Sequence, residues 1–533
     1  MGLEGTDVTT IREDVRITQA AGIVSLGNFA SRILGLVRGI VRAYLFGGGG
    51  DVSALAAALR IPTMIYDLLV GGILGSALVP VLSEYAAPER RAELWQLLSV
   101  LVSLVLFLLS LFVLVGEFIT PQLIALQAGG LSPAYRALAV DLLRLALPVV
   151  IFTSVASVLS GALFALRRFA FPAFIGAASN AAIILTALLL GRYLGVGSIA
   201  VGTLLGSILQ IAIQLPGLRD ARLRLALDLR HPAIRRIGRL YLPLAVGLVV
   251  DKLAEVLSYR LASSISDPAI ARMENAAMVI QFPLGLVAAA VSIAILPTLS
   301  QQAESEQIGP FRATLVKGLR MVLALVVPAT AGLYVLARPV VALIFERGNF
   351  TLTDTVATTE ALRYSLLGLI SYAVDQPLIF AFYARKDTLT PALVGGGTTV
   401  LYVLVAVASV VFGALSLPLL LLFNALKWTA HALAMLVLAW RRLGGLNGHG
   451  LLALTLKSVC ASLVMMPATW GVMRVLTGVA PPDWLGWLLV VGGAGGVGGL
   501  VYGVLALVLN IEELHLLRAA VRDGWDRLTG SGR

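Results

Sequence analysis

Long apolar runs alternate with short polar segments along almost the whole chain. Each run is close to the roughly 20 residues that an α-helix needs to cross the hydrocarbon of a bilayer. The pattern therefore predicts an all-α, polytopic membrane protein with fourteen transmembrane helices. The predicted spans are 19–45, 56–85, 95–117, 137–165, 172–191, 196–215, 240–262, 276–299, 314–336, 357–383, 391–413, 417–440, 452–474 and 484–510.

The composition agrees with a bilayer as the solvent. Hydrophobic residues make up 59% of the chain and charged residues 13%, and the mean hydropathy is +0.93. A typical soluble domain has about 25% charged residues. The first sixteen residues are polar and lack the apolar region and cleavage site of a signal peptide, so the first span is expected to remain as an anchor. Cys460 is the single cysteine, which excludes an intramolecular disulfide and leaves the redox compartment open.

The basic residues predict the orientation in the membrane. With the N-terminus in the cytoplasm, cytoplasmic segments hold 24 Lys and Arg residues and external segments hold 6. Cytoplasmic loops are the positive ones in most membrane proteins, so both termini are predicted to be cytoplasmic. The segment 214–240 contains seven arginines and is interpreted as an amphipathic, basic linker on the anionic cytoplasmic leaflet. The net charge of +11 is therefore assigned to membrane contacts, and no nucleic-acid partner is expected.

Two segments of the first half recur weakly in the second half. FALRRFAFPAFIG at 164–176 resembles FYARKDTLTPALVG at 382–395, and ALVPVLSEYA at 77–86 resembles AILPTLSQQA at 294–303. The aligned prolines are 217 residues apart for Pro80 and Pro297, and 219 apart for Pro172 and Pro391. Two matches at nearly one offset indicate a tandem duplication of six spans.

An even number of crossings per unit makes the two repeats parallel, with an axis along the membrane normal. The predicted architecture has two six-helix lobes around a central cavity. Residues 1–218 form the N-lobe, 219–442 form the basic linker and the C-lobe, and 443–533 form two extra helices and a cytoplasmic tail.

Arginines occur inside the first span. Arg32, Arg38 and Arg42 fall within an arc of about 120° of a helix. A charge at mid-bilayer costs at least about 2.5–3.5 kcal/mol, so this face must look into the bundle or a watery cavity. The following FGGGGD, which ends at Asp51, allows a sharp turn before the second span.

Acidic residues are also placed within spans, at Asp67, Asp251, Glu255 and Asp375. They are interpreted either as an internal salt-bridge set or as a cation or proton site coupled to movement. A cationic cleft suits an anionic substrate, and arginine suits phosphate in particular. The sequence shows no enzyme signature and no metal-spaced His/Cys set, so a non-enzymatic protein without cofactor or metal is expected.

Several stretches together resemble one family. SRILGLVRG (31–39), FGGGGD (46–51), the long run from LRIPTMIYD to SEY (59–85), LARPVVALIFERGNFTLTDT (336–355) and AFYARKDTLTPALVG (381–395) are similar to the MurJ/MviN family of bacterial lipid II flippases. The resemblance covers nearly the whole chain in order. It implies a member of the multidrug/oligosaccharidyl-lipid/polysaccharide exporter superfamily, in the bacterial cytoplasmic membrane. Such a protein carries the undecaprenyl-diphosphate-linked peptidoglycan precursor from the inner to the outer leaflet by alternating access.

The resemblance also implies roles for residues. Arg32 and Arg38 match family arginines that line the central cavity, whereas Arg42 has no role to carry over. Two further family arginines are missing, because Tyr66 and Asp67 stand at one position and Met278 at the other. The replacement cationic contacts are expected from Arg60, Lys252 and Arg260.

In span 12 the family carries an Asn that is associated in some members with sodium, and this chain has His431 there. Coupling to Na⁺ or H⁺ is therefore assigned to Asp251, Glu255, Asp375 and His431 as candidates. His431 with Lys427 one turn away favours an anion contact or proton sensitivity, and a purely structural histidine stays equally open. The partners expected are lipid II, membrane lipids and other proteins of cell-wall synthesis. Two alternative functions stay open: export of another polyprenyl-linked glycan, and a non-transporting scaffold for envelope synthesis.

Overall fold

The structure is a computed structural model that describes residues 4–71, 78–228, 232–446, 450–481 and 483–513. These ranges are helical and contain no β-strand, which confirms the predicted all-α class. The predicted C-terminal tail beyond residue 513 lies outside the described residues. The α-helices of the described ranges are α1 (Glu4–Phe46), α2 (Gly50–Tyr66), α3 (Val79–Ser83), α4 (Arg91–Ala128), α5 (Pro133–Ala146), α6 (Val149–Ala165), α7 (Ala170–Ala173), α8 (Ile175–Leu194), α9 (Gly197–Gln214), α10 (Pro232–Ile265), α11 (Ala269–Pro283), α12 (Ala289–Glu304), α13 (Ile308–Val335), α14 (Ala337–Phe345), α15 (Leu352–Leu366), α16 (Leu369–Ala384), α17 (Leu389–Val411), α18 (Leu417–Arg442), α19 (Leu451–Val479) and α20 (Trp484–Val508).

Twelve helical stretches among the described residues are long and apolar enough to cross a membrane. A thirteenth is formed by α15 and α16 together, which meet at a bend of 45°. The predicted seventh span lies on α10, which carries Asp251, Lys252, Glu255 and Arg260 and is not among the twelve. The multi-pass membrane class is therefore confirmed, while the count of fourteen stays a prediction.

Packing divides the chain into two compact units. Unit 1 comprises Met1–Ala271 with Gly348–Phe350, and unit 2 comprises Arg272–Arg347 with Thr351–Arg533. The division falls after α10, whereas the predicted repeat boundary at 218/219 falls before it. Packing and sequence duplication are different properties, so the predicted lobes stay a prediction.

In unit 1, α1 packs on α8, α8 on α9, and α4 on α6 and α10. Leu94, Leu97, Leu98 and Leu101 recur at helical spacing and turn one buried face of α4 toward the core. α8 and α9 approach closely at the small residues of the Gly202-x-x-x-Gly206 pattern. A Cβ at Gly202 would lie only 2.8 Å from Ile183 Cα. In lipid, such close packing is a main source of helix association.

Unit 2 has two apolar clusters that share α13. One joins α13 to α16 and α18 through buried residues such as Leu319, Phe382 and Met435. The other joins α13 to α19 and α20, where the Tyr502 hydroxyl donates to the Ala324 carbonyl at 2.7 Å. α13 is therefore a central packing element of this unit.

Two local backbone features occur in both halves at the offsets of the sequence repeat. π-helical turns cover Asp67–Gly71 and Leu284–Ala288, and their first residues are 217 positions apart. α6 and α16 each end in a left-handed residue, Arg167 with φ +56° and Lys386 with φ +60°, which are 219 positions apart. Each of these ends also has the paired backbone bonds of a Schellman motif. Such paired irregularities are what a tandem duplication predicts.

The basic linker begins in a 3₁₀ turn at Leu215–Leu218 and is not helical over 221–228. The backbone N–H groups of Arg224 and Ala226 donate to the hydroxyls of Ser99 and Ser103, at 3.1 and 3.0 Å. This part of the linker therefore lies along α4. Its predicted contact with anionic lipid stays a prediction.

Candidate functional site

The α1 arginines occupy a helix that is fixed against α8. The Asn180 amide donates to the Ser31 carbonyl at 3.1 Å, and a Cβ at Gly176 would lie 2.5 Å from the Ser31 hydroxyl oxygen. These contacts set the rotation of α1. Arg32 and Arg38 are exposed on it, and Arg32 has no carboxylate within 4.0 Å in the described part of the chain. Their predicted contact with substrate stays a prediction.

The glycine-rich turn after α1 has the geometry that the sequence predicts. α1 ends at Phe46, and Gly47 takes φ +72°, which favours glycine. Asn349 then satisfies two carbonyls of the last helical turn, since its N–H donates to Tyr44 O at 2.9 Å and its side chain donates to Leu45 O at 2.6 Å. Asn349 therefore caps α1, a role that the sequence did not indicate.

Four charged side chains of α2, the π-helical turn that follows it, and α10 meet, and we call them the α2–α10 ion-pair cluster: Arg60, Asp67, Lys252 and Glu255. Arg60 pairs with Glu255, and the Lys252 ammonium lies 2.7 Å from Asp67 and 3.3 Å from Glu255. Two cations and two carboxylates thus balance. Asp67 and Glu255 therefore form internal salt bridges in this conformation. These two carboxylates offset the positive charges of Arg60 and Lys252.

The remaining candidates in unit 1 are separate from this cluster. Asp251 is exposed and has no ion pair in the residues that the structure describes. The Arg260 guanidinium donates to the Ala125 carbonyl at 3.0 Å, in the last turn of α4. A cation there is stabilised by the negative end of the helix dipole. The expectation that Arg260 replaces a missing family arginine as a substrate contact stays a prediction.

A cavity of about 290 Å³ with several polar side chains in a largely apolar lining lies beside α1 in unit 1. Its lining includes Asn28, Ser31, Tyr66, Ser157 and Gln210. The Tyr66 hydroxyl donates to the Ser157 hydroxyl at 3.2 Å. At Tyr66, where the resemblance expects an arginine nearby, this chain therefore offers neutral hydrogen-bonding groups. Met278, at the other departure, is half-buried on α11.

Asp375 and His431 form a buried pair in unit 2. Their side chains are 0% and 7% exposed, and His431 Nδ1 lies 2.8 Å from the carboxylate. Nε2 lies 3.5 Å from the Pro391 carbonyl, and Gly395 leaves room beside the ring. The Lys427 ammonium lies 4.6 Å from the centre of the Trp428 ring, and that ring centre is 6.4 Å from the centre of the His431 ring. His431 is therefore partnered by an acid and not by Lys427.

Ion pairs outside the spans were missed by the sequence reasoning, although the repeat pointed to their location. In the first repeated segment, the Arg168 guanidinium pairs with Asp220 at 2.5 Å. In the second, the repeated segment supplies the acid, Asp387, and Arg442 supplies the guanidinium. The hydrogen bond from Arg168 lowers the pKa of Asp220. Burial alone would raise the pKa of Asp387, but hydrogen bonds from Thr390 and Arg442 lower it to about 2.

No group of three or more His, Cys, Asp and Glu side chains with the arrangement of a metal site occurs within the described ranges. The chemistry that the two units offer is thus ion pairing and hydrogen bonding to a bound anion, together with a buried His–Asp contact. An all-helical, multi-pass fold with charged groups inside its spans defines the chain as a polytopic helical membrane protein.

Comparison with known proteins gives the family. The family model of lipid II flippase MurJ matches residues 42–481. The probable lipid II flippase MurJ of Vibrio cholerae is 30% identical over 95% of this chain and 98% of its own length, and that of Haemophilus influenzae is 28% identical over 91% and 99%. The chain therefore belongs to the MurJ lipid II flippase family, as the sequence motifs predict.

Solved structures agree in fold. A lipid II flippase MurJ in an inward closed conformation aligns with a TM-score of 0.76 at 23% identity, over 91% of this chain and 98% of that one. An inward-facing multidrug resistance MATE family transporter of the MOP superfamily aligns with a TM-score of 0.63 at 15% identity, over 78% and 95%. Both matches show the same helical membrane fold.

Proposed function

We propose that this chain carries lipid II from the inner to the outer leaflet of the bacterial cytoplasmic membrane by alternating access, with both termini in the cytoplasm. The observation that carries the proposal is the family match over residues 42–481, together with curated relatives aligned over nearly their whole length. Lipid II, the undecaprenyl-diphosphate-linked precursor, is the substrate.

In this proposal Arg32 and Arg38 hold the diphosphate. Both are exposed on α1, and the contacts at Ser31 fix the face of the helix that presents them. The guanidinium group is planar and always charged, so it binds phosphate oxygens in pairs. The hydroxyl groups in the cavity beside α1, such as those of Ser31, Tyr66 and Ser157, can donate to and accept from the sugar part of the headgroup.

The energy source is proposed to include a proton gradient across the membrane. Asp375 and His431 form a buried hydrogen-bonded pair, and binding of a proton changes the net charge of that pair. A change of charge in a buried site shifts a conformational equilibrium. Other titratable or charged groups on the elements that carry the pair or pack against it include Lys427 on α18, Tyr372 on α16, Tyr402 on α17, Glu360 and Arg363 on α15, Arg320 on α13 and Glu304 on α12. The membrane potential adds about 2.3 kcal/mol per charge per 100 mV.

Complementation tests the proposed function. The native lipid II flippase of a bacterial host is depleted, and this chain is expressed as wild type, Arg32→Ala or Arg38→Ala at matched membrane levels. Rescue by the wild type and loss of rescue in both variants is expected, because each variant removes a diphosphate contact. A wild type that is inserted and abundant but does not rescue would overturn the lipid II assignment.

Proton coupling has its own test. Asp375→Asn and His431→Gln keep the side-chain size but remove the titrating charge, so transport in vesicles should lose its dependence on an imposed pH gradient. Lys427→Gln is the matched control, one turn away on α18, and should keep that dependence. If both pair variants respond to the gradient as the wild type does, the pair is structural.

A further inference from the structure

A cavity of about 630 Å³ lies within unit 2, between α13, α14 and α15. Tyr334 near the end of α13 and Arg338 on α14 form one side of it. The other side is formed by α15, through Val356, Thr359, Glu360, Arg363 and Leu367. Spacings of three and four residues place these side chains on a single helix face. The cavity is therefore a consequence of how one face of α15 packs.

Within the described ranges, the two arginines of this cavity, Arg338 and Arg363, have no carboxylate at ion-pair distance. Arg338 and Glu360 form no ion pair or hydrogen bond among the described residues. The Arg363 guanidinium lies 5.7 Å from the centre of the Tyr334 ring and has no carboxylate within 4.0 Å in the same part of the chain. Elsewhere in the structure, Arg168 and Arg442 each hold a carboxylate. Two arginines facing a cavity without such a partner are suited to bind an anion.

The rest of the lining narrows the chemistry of that anion. Glu360 accepts hydrogen bonds and repels a bare anion, so the ligand must also carry donors such as hydroxyl groups. Thr359 and the Tyr364 hydroxyl add further polar groups. Val356 and Leu367 are 54% and 53% exposed and give the cavity an apolar rim. Phosphate, hydroxyls and an apolar attachment occur together in a lipid headgroup.

We propose that this cavity is a second ligand site, which binds the hydroxyl-rich, phosphate-bearing headgroup of a lipid through Arg338 and Arg363. The inference goes beyond the proposed function, because it stands on the lining of unit 2 and not on transport. Two sources share this chemistry: a phospholipid with a glycerol headgroup, and a sugar-bearing polyprenyl diphosphate such as lipid II.

The test is lipid binding to the full-length protein in phosphatidylcholine nanodiscs, counted by native mass spectrometry. The probes are phosphatidylglycerol, lipid II and undecaprenyl diphosphate, which lacks the hydroxyl-bearing groups. Arg338→Gln with Arg363→Gln is expected to weaken binding of at least one hydroxyl-bearing probe about tenfold or more, since each lost charged hydrogen bond matters by roughly that factor. Arg338→Lys with Arg363→Lys should restore most of the affinity because it keeps both charges.

Arg474→Gln is the matched control. Arg474 is an exposed arginine of the same unit, stacked 4.7 Å from the Trp470 ring centre and outside the cavity, so its loss should leave binding unchanged. Glu360→Gln should raise the affinity for undecaprenyl diphosphate relative to the other two probes. A thermal melt of each variant establishes that it is folded.

The probes separate the two sources. A loss confined to phosphatidylglycerol assigns the site to phospholipid, a loss confined to lipid II assigns it to the substrate, and a loss of both assigns it to the shared headgroup chemistry. Lipid II is titrated in an Arg32→Ala, Arg38→Ala background, so failure of the α1 site and failure of this one are seen independently. If the folded Gln double variant binds all three probes like the wild type, the proposal is overturned.

Discussion

The four candidate arginines of unit 1 have three different environments. Arg32 and Arg38 are exposed on α1, Arg60 is held in an ion pair with Glu255, and Arg260 donates to the end of α4. The cost of a charge near lipid is met by exposure at Arg32, by a carboxylate at Arg60 and by a helix dipole at Arg260. Charge alone therefore does not identify a substrate contact. The groups around each arginine do.

At the turn after α16, Asp387 gives a prediction with a definite pH dependence. Its pKa of about 2 lies below the ordinary value of 3.8, so its stabilising effect is complete above pH 3.8 and is lost as pH falls toward 2. Asp387→Asn should destabilise the turn by about 1 kcal/mol at neutral pH, since the partner Arg442 is partly exposed. Hydrogen exchange of the turn amides should then be about fivefold faster.

The ratio of exchange rates between variant and wild type should be constant from pH 5 to 8 and should approach one near pH 2. Glu304→Gln is the control, because Glu304 is an exposed carboxyl with no ion pair in the described ranges. A ratio that already falls between pH 7 and 5 would show that the pair does not hold Asp387 as described.

The candidate residues themselves could be predicted from the sequence, but their partners could not. Helical spacing placed Arg32 and Arg38 on one face of α1, and hydropathy marked Asp375 and His431 as unusual in a span. Pairing of Asp375 with His431, or of Asp67 with Lys252, depends on how α16 meets α18 and how α2 meets α10. Crossing angle and register between helices are not written in the local pattern of either helix.

Among the helix ends that the structure describes, the N-terminus of α15 is the one with a complete capping box. Thr351 accepts from the Asp354 N–H at 3.3 Å, and Asp354 accepts from the Thr351 N–H at 3.0 Å. Thr351→Ala should cost the first turn of α15 about 1 kcal/mol and raise its amide exchange about fivefold. Thr353→Ala removes an exposed hydroxyl in the same turn and should change exchange little. Equal effects of the two substitutions would contradict the cap.

The α2–α10 ion-pair cluster predicts energetic coupling between two helices of unit 1. A double-mutant cycle of Lys252→Met and Asp67→Asn should give a coupling free energy of about 1 kcal/mol in denaturant unfolding, because Lys252 is only 18% exposed. The control cycle uses Arg236 and Glu84, whose side chains also lie 2.7 Å apart but are 56% and 46% exposed. Its coupling should be near zero. Equal coupling in both cycles would show that burial does not strengthen the cluster.

Helix positions followed from the apolar runs, whereas breaks within the spans did not. The predicted span 137–165 is two helices, α5 and α6, separated at Leu147–Pro148. The predicted span 357–383 is likewise α15 and α16, bent around Leu367–Gly368. Hydropathy measures transfer into lipid and is insensitive to a bend or a π-turn that keeps the same side chains. The short helix α14 was also absent from the prediction.

For the whole molecule, the family and the membrane fold could both be inferred from the sequence and are confirmed. The family motifs occur along this chain in the same order as in the family. Because that order extends over the whole chain, it indicates the whole fold and not only one local segment. The orientation, the lobe boundaries and the substrate contacts stay predictions, because they depend on the bilayer and on lipid II. The repeated π-turns and left-handed helix ends add structural weight to the predicted duplication.

The central claim is that this chain moves lipid II between leaflets through the arginines of α1. It is tested most directly by reconstituting the purified chain into vesicles with lipid II and measuring how fast the lipid becomes accessible to a water-soluble enzyme that cleaves it outside. Wild type should accelerate this movement, and Arg32→Ala or Arg38→Ala should slow it at least about tenfold, because a charged phosphate contact is lost. Arg474→Ala should match wild type. Movement no faster than in protein-free vesicles, or equal rates for wild type and both α1 variants, would contradict the claim.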